Sequence, residues 1–136
     1  MKLIIPLPPM ASPRPRLGKN RTYMPSKYVA WKEAAAVSIR NQLPLGWQAV
    51  SSACVVDLVF VMPRLKKNRA DWIAPIDGRQ AHIVRPDMDN LMKSVFDAMT
   101  EASFWRDECQ YYRGHSCKYY AAVGEEAHID IDVIWF

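Results

Sequence analysis

Over residues 89–102 apolar side chains recur with helical spacing, and this stretch leaves the chain little freedom of fold. Leu91, Met92, Val95, Phe96, Ala98, Met99 and Ala102 make one broad stripe, while Asn90, Lys93 and Asp97 share the other side. A stripe that wide has to be covered by an apolar layer, and two other segments offer one. Ala53 to Met62 is apolar except for Asp57 and rich in β-branched residues, the pattern of a buried strand closed by Pro63. Ala127 to Trp135 alternates Ala127, Ile129, Ile131, Val133 and Trp135 with His128, Asp130 and Asp132, the pattern of a half-buried strand. A helix on a sheet is the solution these three segments share.

The rest of the chain fits around that pair. Lys2 to Pro6 reads as a first strand, stopped by prolines at 6, 8 and 9. Residues 7–26 hold Pro13, Pro15 and Pro25 among basic residues and read as an extended loop. Lys27 to Gln42 has helical spacing and is ended by Pro44 and Gly46. Residues 63–86 read as a long polar connection, of the kind that is usually functional or disordered. Gln110 to Ala122 reads as a strand, with a turn at Gly124. The order β-α-β-α-β-β predicts an α+β (mixed α/β) fold over residues 1–136, a single domain with one small mixed sheet and two main helices. At 136 residues, half of them apolar, the chain can bury one proper core.

Charge is distributed unevenly. Residues 1–86 hold fourteen Lys/Arg and four Asp/Glu, whereas residues 87–136 hold four and ten. A basic front beside an acidic centre suits a polyanion-binding surface around a cation-collecting site, against the plainer reading of solvated loops whose charges average out. No apolar run reaches the ~20 residues of a membrane helix. Proline breaks the opening Met-Lys-Leu-Ile-Ile-Pro too soon for a signal peptide, so a cytoplasmic protein is expected. Cys54, Cys109 and Cys117 have no framework spacing, which fits a reducing compartment and buried or strand cysteines better than a zinc site with His115 and His128.

The acids themselves fall in a pattern. Asp87 and Asp89 stand one residue apart at the helix entrance, where alternating side chains point the same way. They can cap the helix, or they can hold one cation between them. Asp107 and Glu108 come after the helix, and a chain that returns either one alongside completes a three-carboxylate, all-oxygen site. Such a donor set suits Mg²⁺ or Mn²⁺. Lys93 lies one turn after Asp89, either as a solvated partner of Asp89 and Asp97 or facing a scissile phosphate. Asp97, on the helix flank, reads as structural. Arg14, Arg16, Lys19 and Arg21 in the first basic loop, and Lys66, Lys67, Arg69 and Arg85 in the second, are candidates for gripping phosphates. Tyr23, Tyr28 and Trp72 could stack on opened bases, although core positions are the commoner fate of such aromatics.

Asp87-x-Asp89-Asn90-Leu91-x-Lys93, then Phe96-Asp97-Ala98-Met99-Thr100, then Phe104-Trp105-x-Asp107-Glu108-x-Gln110 resembles the signature of the RusA-type Holliday-junction resolvases. The match is dense over residues 86–110. It is looser at Pro6-Leu7-Pro8-Pro9 and general elsewhere. The resemblance implies a small, dimeric, Mg²⁺-dependent endonuclease of bacteria and their phages. Asp87, Asp89 and Glu108 would be its metal ligands, Asp107 would support or substitute, and Lys93 would be its important lysine. Where the family usually has Asp-Asp, this chain has Asp107-Glu108, which shifts the third carboxylate by about a bond length.

The leading expectation is therefore a Mg²⁺-dependent, structure-selective endodeoxyribonuclease (Mn²⁺ substituting) that resolves four-way DNA junctions by paired nicks in recombination and repair. It would act as a homodimer on branched DNA, with no membrane partner. Flap or fork cleavage by the same acids, or junction binding without catalysis, are the alternatives. A ribonuclease fits less well, because the chain has neither a repeated aromatic RNA-binding motif nor a suitable histidine pair.

Overall fold

The computed structural model describes residues 1–14, 16–18, 21–65 and 77–136. In chain order its elements are β1 (Lys2–Ile5), β2 (Arg16–Gly18), β3 (Arg21–Tyr23), α1 (Ser26–Gln42), β4 (Cys54–Met62), β5 (Gln80–Ala81), α2 (Met88–Glu101), a 3-10 turn (Glu108–Gln110), β6 (Tyr111–Arg113), β7 (Ser116–Tyr120) and β8 (His128–Trp135). The main sheet runs β1-β8-β4-β7-β5, with β6 also on β4. β8 is antiparallel to both β1 and β4, whereas β7 lies parallel to β4, so the sheet is mixed. This is the expected α+β fold, two helices on one sheet.

Period-two alternation decides which face of the sheet is covered. Leu3 and Ile5 of β1, Val56, Leu58 and Phe60 of β4, and Ile129, Ile131 and Val133 of β8 all turn inward and are buried. They meet Tyr28, Trp31, Ala35 and Ile39 of α1 and Leu91, Val95 and Met99 of α2 in one core. The other face carries Asp57, Asp130 and Asp132, which explains the lone acid in an apolar strand. No helix among the described residues is long and apolar enough to cross a membrane.

Three segments differ from the sequence reading. Part of the first basic loop is a hairpin, with Leu17 opposite Thr22 and Gly18 opposite Arg21. The prolines on either side hid these two three-residue strands. The expected strand from Gln110 to Ala122 is broken in two at Gly114. A Cβ there would sit 1.8 Å from the Val56 carbonyl oxygen, so only glycine lets the chain pass β4 at this distance. The 63–86 connection also contributes β5, a short edge strand paired with β7.

The chain leaving α2 positions the second acid pair. Ser103 takes a positive φ of 56°, ending the helix and reversing the chain. Phe104 and Trp105 then plunge into the core, each fully buried, and Trp105 Nε1 donates to Thr100 Oγ1 at 2.8 Å. Burying side chains of this size stabilises by roughly 1.5–3 kcal/mol each. The Phe-Trp pair thus fixes where the next residues, Asp107 and Glu108, emerge.

Candidate active site

α2 begins beside the end of the first basic segment. The backbone N–H of Ser12 donates to the Asn90 carbonyl at 2.9 Å, tying residues 11–14 to the helix's first turn. A cleft of about 810 Å³ opens there, lined by Arg14, Arg85, Asp87, Asp89 and Asn90. Asp87 occupies the position that caps α2, yet its side chain makes no capping hydrogen bond. Asp89 accepts from the Asn90 N–H at 3.0 Å. Both are exposed. Two carboxylates and two guanidinium-bearing residues therefore share one opening, which can receive a cation and a phosphate side by side.

Asp107 and Glu108 are held differently. Asp107 caps the 3-10 turn, accepting from the Cys109 N–H at 2.7 Å. Hydrogen bonding from Cys109 holds the Asp107 carboxyl below the ordinary carboxylate range. Gln110 fixes the whole turn. Its Oε1 accepts from the N–H groups of Arg106 and Asp107, each at 2.9 Å, and its Nε2 donates to the carbonyls of Val50 at 2.8 Å and Ser52 at 2.9 Å. Gln110 stands in the motif, but nothing in the sequence pattern assigned it this role. Two of its partners, Val50 and Ser52, lie some sixty residues away.

Lys93 joins the second pair rather than the first. Its ammonium donates to Glu108 Oε1 at 2.7 Å and Asp97 Oδ1 at 2.9 Å. The Glu108 bond above all, with Asp97 adding to it, raises the lysine's pKa. Asp97 in turn accepts from the Tyr28 hydroxyl at 2.6 Å. Burial, then this bond, pushes the Tyr28 hydroxyl's pKa well up. Asp97, expected to be structural, holds Lys93 in place, and Tyr28 is a buried support rather than a surface to stack on. Asp107 and Glu108 line a second cleft, with Tyr28, Lys32, Asp97 and Glu101.

The structure thus brings Asp87 and Asp89 together and leaves Asp107 and Glu108 in a separate cleft. Among the described residues no group of three or more His, Cys, Asp or Glu side chains is gathered to hold a metal ion. That applies equally to the cysteine and histidine set. The donor chemistry of Asp87 and Asp89 fits a hard cation, while Glu108 is bound through Oε1 to Lys93.

Of the basic residues named from the sequence, Arg14 and Arg85 reach the acidic cleft. Arg16 and Arg21 lie on the β2–β3 hairpin. Lys19, Lys66, Lys67 and Arg69, like Trp72, lie outside the described residues. Tyr23, at the end of β3, is half exposed.

Comparison with known proteins sets this arrangement in a family. The model of the family described as endodeoxyribonuclease RusA matches residues 6–133. The crossover junction endodeoxyribonuclease RusA of Escherichia coli K12 is 31% identical over 108 residues, covering 79% of this chain and 73% of that protein. Those of Shigella sonnei (strain Ss046) and Enterobacteria phage 82 are each 30% identical over the same span and shares. The chain belongs to the RusA endodeoxyribonuclease family.

Proposed function

We propose that this protein is a Mg²⁺-dependent, structure-selective endodeoxyribonuclease that resolves four-way DNA junctions by paired nicks, serving recombination and repair in the cytoplasm. The observation that carries the reading is the cleft where Asp87 and Asp89 open beside Arg14 and Arg85, in a chain whose relatives are named crossover junction endodeoxyribonucleases. Residues 1–136 would act as one nuclease domain. Asp87 and Asp89 would hold the ion, with Glu108 completing the set and Asp107 supporting or substituting. Bound there, Mg²⁺ or Mn²⁺ would offset charge on the phosphodiester, lower the pKa of an attacking water and stabilise the departing 3′ oxygen.

The protein's own residues supply the rest. Arg14 and Arg85 grip phosphates flanking the cleft, so affinity falls steeply with salt. Lys93, anchored by Asp97, would present its ammonium to the scissile phosphate. A two-fold homodimer places two such clefts on opposing strands of a junction whose own symmetry is approximately two-fold.

The test is cleavage of a synthetic four-way junction with immobile arms, with linear duplex and flap substrates alongside. Paired symmetric nicks in Mg²⁺ that vanish in Asp89→Asn support the reading. Equal or better cleavage of the flap would move the substrate class. A second reading, a junction binder without catalysis, is favoured by Glu108 at the position where the signature this chain resembles usually has aspartate, and by its bond to Lys93. Junction binding with no cleavage in either Mg²⁺ or Mn²⁺ would select it.

A further inference from the structure

Lys118 sits on β7, opposite Phe60 of β4, at some distance in sequence from every acid discussed above. A half-buried lysine near a cleft that holds Arg14 and Arg85 would ordinarily be read as one more phosphate contact. Its geometry says otherwise. The Lys118 ammonium donates to two backbone carbonyls at once, Val84 and Pro86, each at 2.7 Å. Its own carbonyl accepts from the His82 N–H at 3.0 Å, and the His82 ring is buried behind the segment. Three hydrogen bonds, two of them charge-assisted, thus fasten residues 82–86 to the sheet. Asp87 is the very next residue, and Arg85 lies between the two clamped carbonyls.

We propose that Lys118 is a positioning residue for the cation site: it holds the segment that delivers Asp87 and Arg85 into the cleft, without touching DNA or the ion itself. The proposal rests on the nuclease reading above. Asp87 stands where the chain enters α2, so its direction is set from two sides. The first turn of the helix fixes one. The other is the exposed stretch 83–85, which has few other anchors: the Ile83 and Val84 side chains are largely exposed. Releasing two carbonyls from one ammonium frees that stretch while leaving α2 and the core intact. Partners of this kind, one step behind a ligand, typically govern metal affinity by about 10–100-fold.

The experiment compares the full-length wild type with Lys118→Met and Lys118→Arg, the latter keeping charge and enough donors to span two carbonyls. Mn²⁺ binding is measured by electron paramagnetic resonance without DNA, junction affinity by gel shift in EDTA, and amide hydrogen exchange of residues 82–87 in the metal-free protein. The clamp predicts about tenfold weaker Mn²⁺ binding and faster exchange in Lys118→Met. It also predicts substantial recovery in Lys118→Arg and cleavage that returns as Mg²⁺ is raised. Wild-type exchange rates in Lys118→Met would overturn it. So would unaltered Mn²⁺ affinity, which together with a loss of junction affinity in EDTA would make Lys118 a phosphate contact. Should Lys118→Met fail to fold, Lys118→Gln is judged by the same readouts. A wild type that neither binds Mn²⁺ nor cleaves sinks the nuclease reading, whereas a competent wild type with indifferent variants sinks the clamp alone.

Discussion

The two acidic pairs of this protein differ less in chemistry than in company. Asp87 and Asp89 stand exposed at a helix entrance, one without a capping bond and the other accepting, among the described residues, its neighbour's N–H. Asp107 and Glu108 are bound into the fold, the first as a turn cap and the second to Lys93. The turn beneath them is pinned by four hydrogen bonds from Gln110. The contrast teaches how such a site divides its labour. The carboxylates proposed to receive a cation stand exposed, where their mutual repulsion is tolerated. The Glu108 carboxylate is already paired with the Lys93 ammonium and contributes to the fold.

If this contrast is right, its sharpest consequence is a separation of activity from stability. Asp87→Asn should lower junction cleavage by more than about 100-fold, beyond what outer partners of a metal site typically give. It should leave the urea midpoint nearly unchanged, because asparagine suits a helix entrance as well as aspartate does and no capping bond is lost. A marked drop in stability would show that Asp87 is structural after all.

Next in size is Gln110→Ala. It removes four hydrogen bonds, leaving the Val50 carbonyl with the Arg106 N–H and the Ser52 carbonyl with the Cys54 thiol, so unfolding free energy should fall by about 2 kcal/mol. Urea denaturation checks this, and a change below about 0.5 kcal/mol would mean that water replaces the side chain.

Glu108→Gln should cost less than about 1 kcal/mol of stability, since Lys93 is half exposed and keeps Asp97. The difference from wild type should shrink in high salt. An unchanged difference would point to packing rather than charge.

The smallest effect is one of pH. The Asp107 carboxyl titrates below its ordinary value of 3.8 when folded, so the folded state binds its proton less readily than the unfolded chain does. Its contribution to stability is therefore complete above that value and is lost as pH falls through the lower folded one. In paired denaturation curves, the stability difference between wild type and Asp107→Asn should be constant at neutral pH and dwindle only below about pH 4. A difference that instead grows on acidification would contradict the capping role.

Much of the layered core was legible because its signals are local. Leu91 to Ala102 carries a period near 3.6 and Ile129 to Val133 a period of two, and neither needs a partner to be recognised. The acid pairs and Lys93 were legible for a similar reason, as fixed spacings along one stretch. The break at Gly114 was hidden, because its cause is a carbonyl on β4 nearly sixty residues earlier. The grip of Gln110 on Val50 and Ser52, and the bond from Tyr28 to Asp97 across 69 residues, were hidden for the same reason.

By itself, then, the sequence determined the helix, the strands that cover it and the set of acids available for chemistry, since periodicity and spacing are properties of a single line of residues. Which acids stand open and which are already held was decided only by the tertiary structure. That outcome depends on where Ser103 turns the chain and on how deeply Phe104 and Trp105 sink. It depends also on which cation the fold delivers to Glu108, at 2.7 Å.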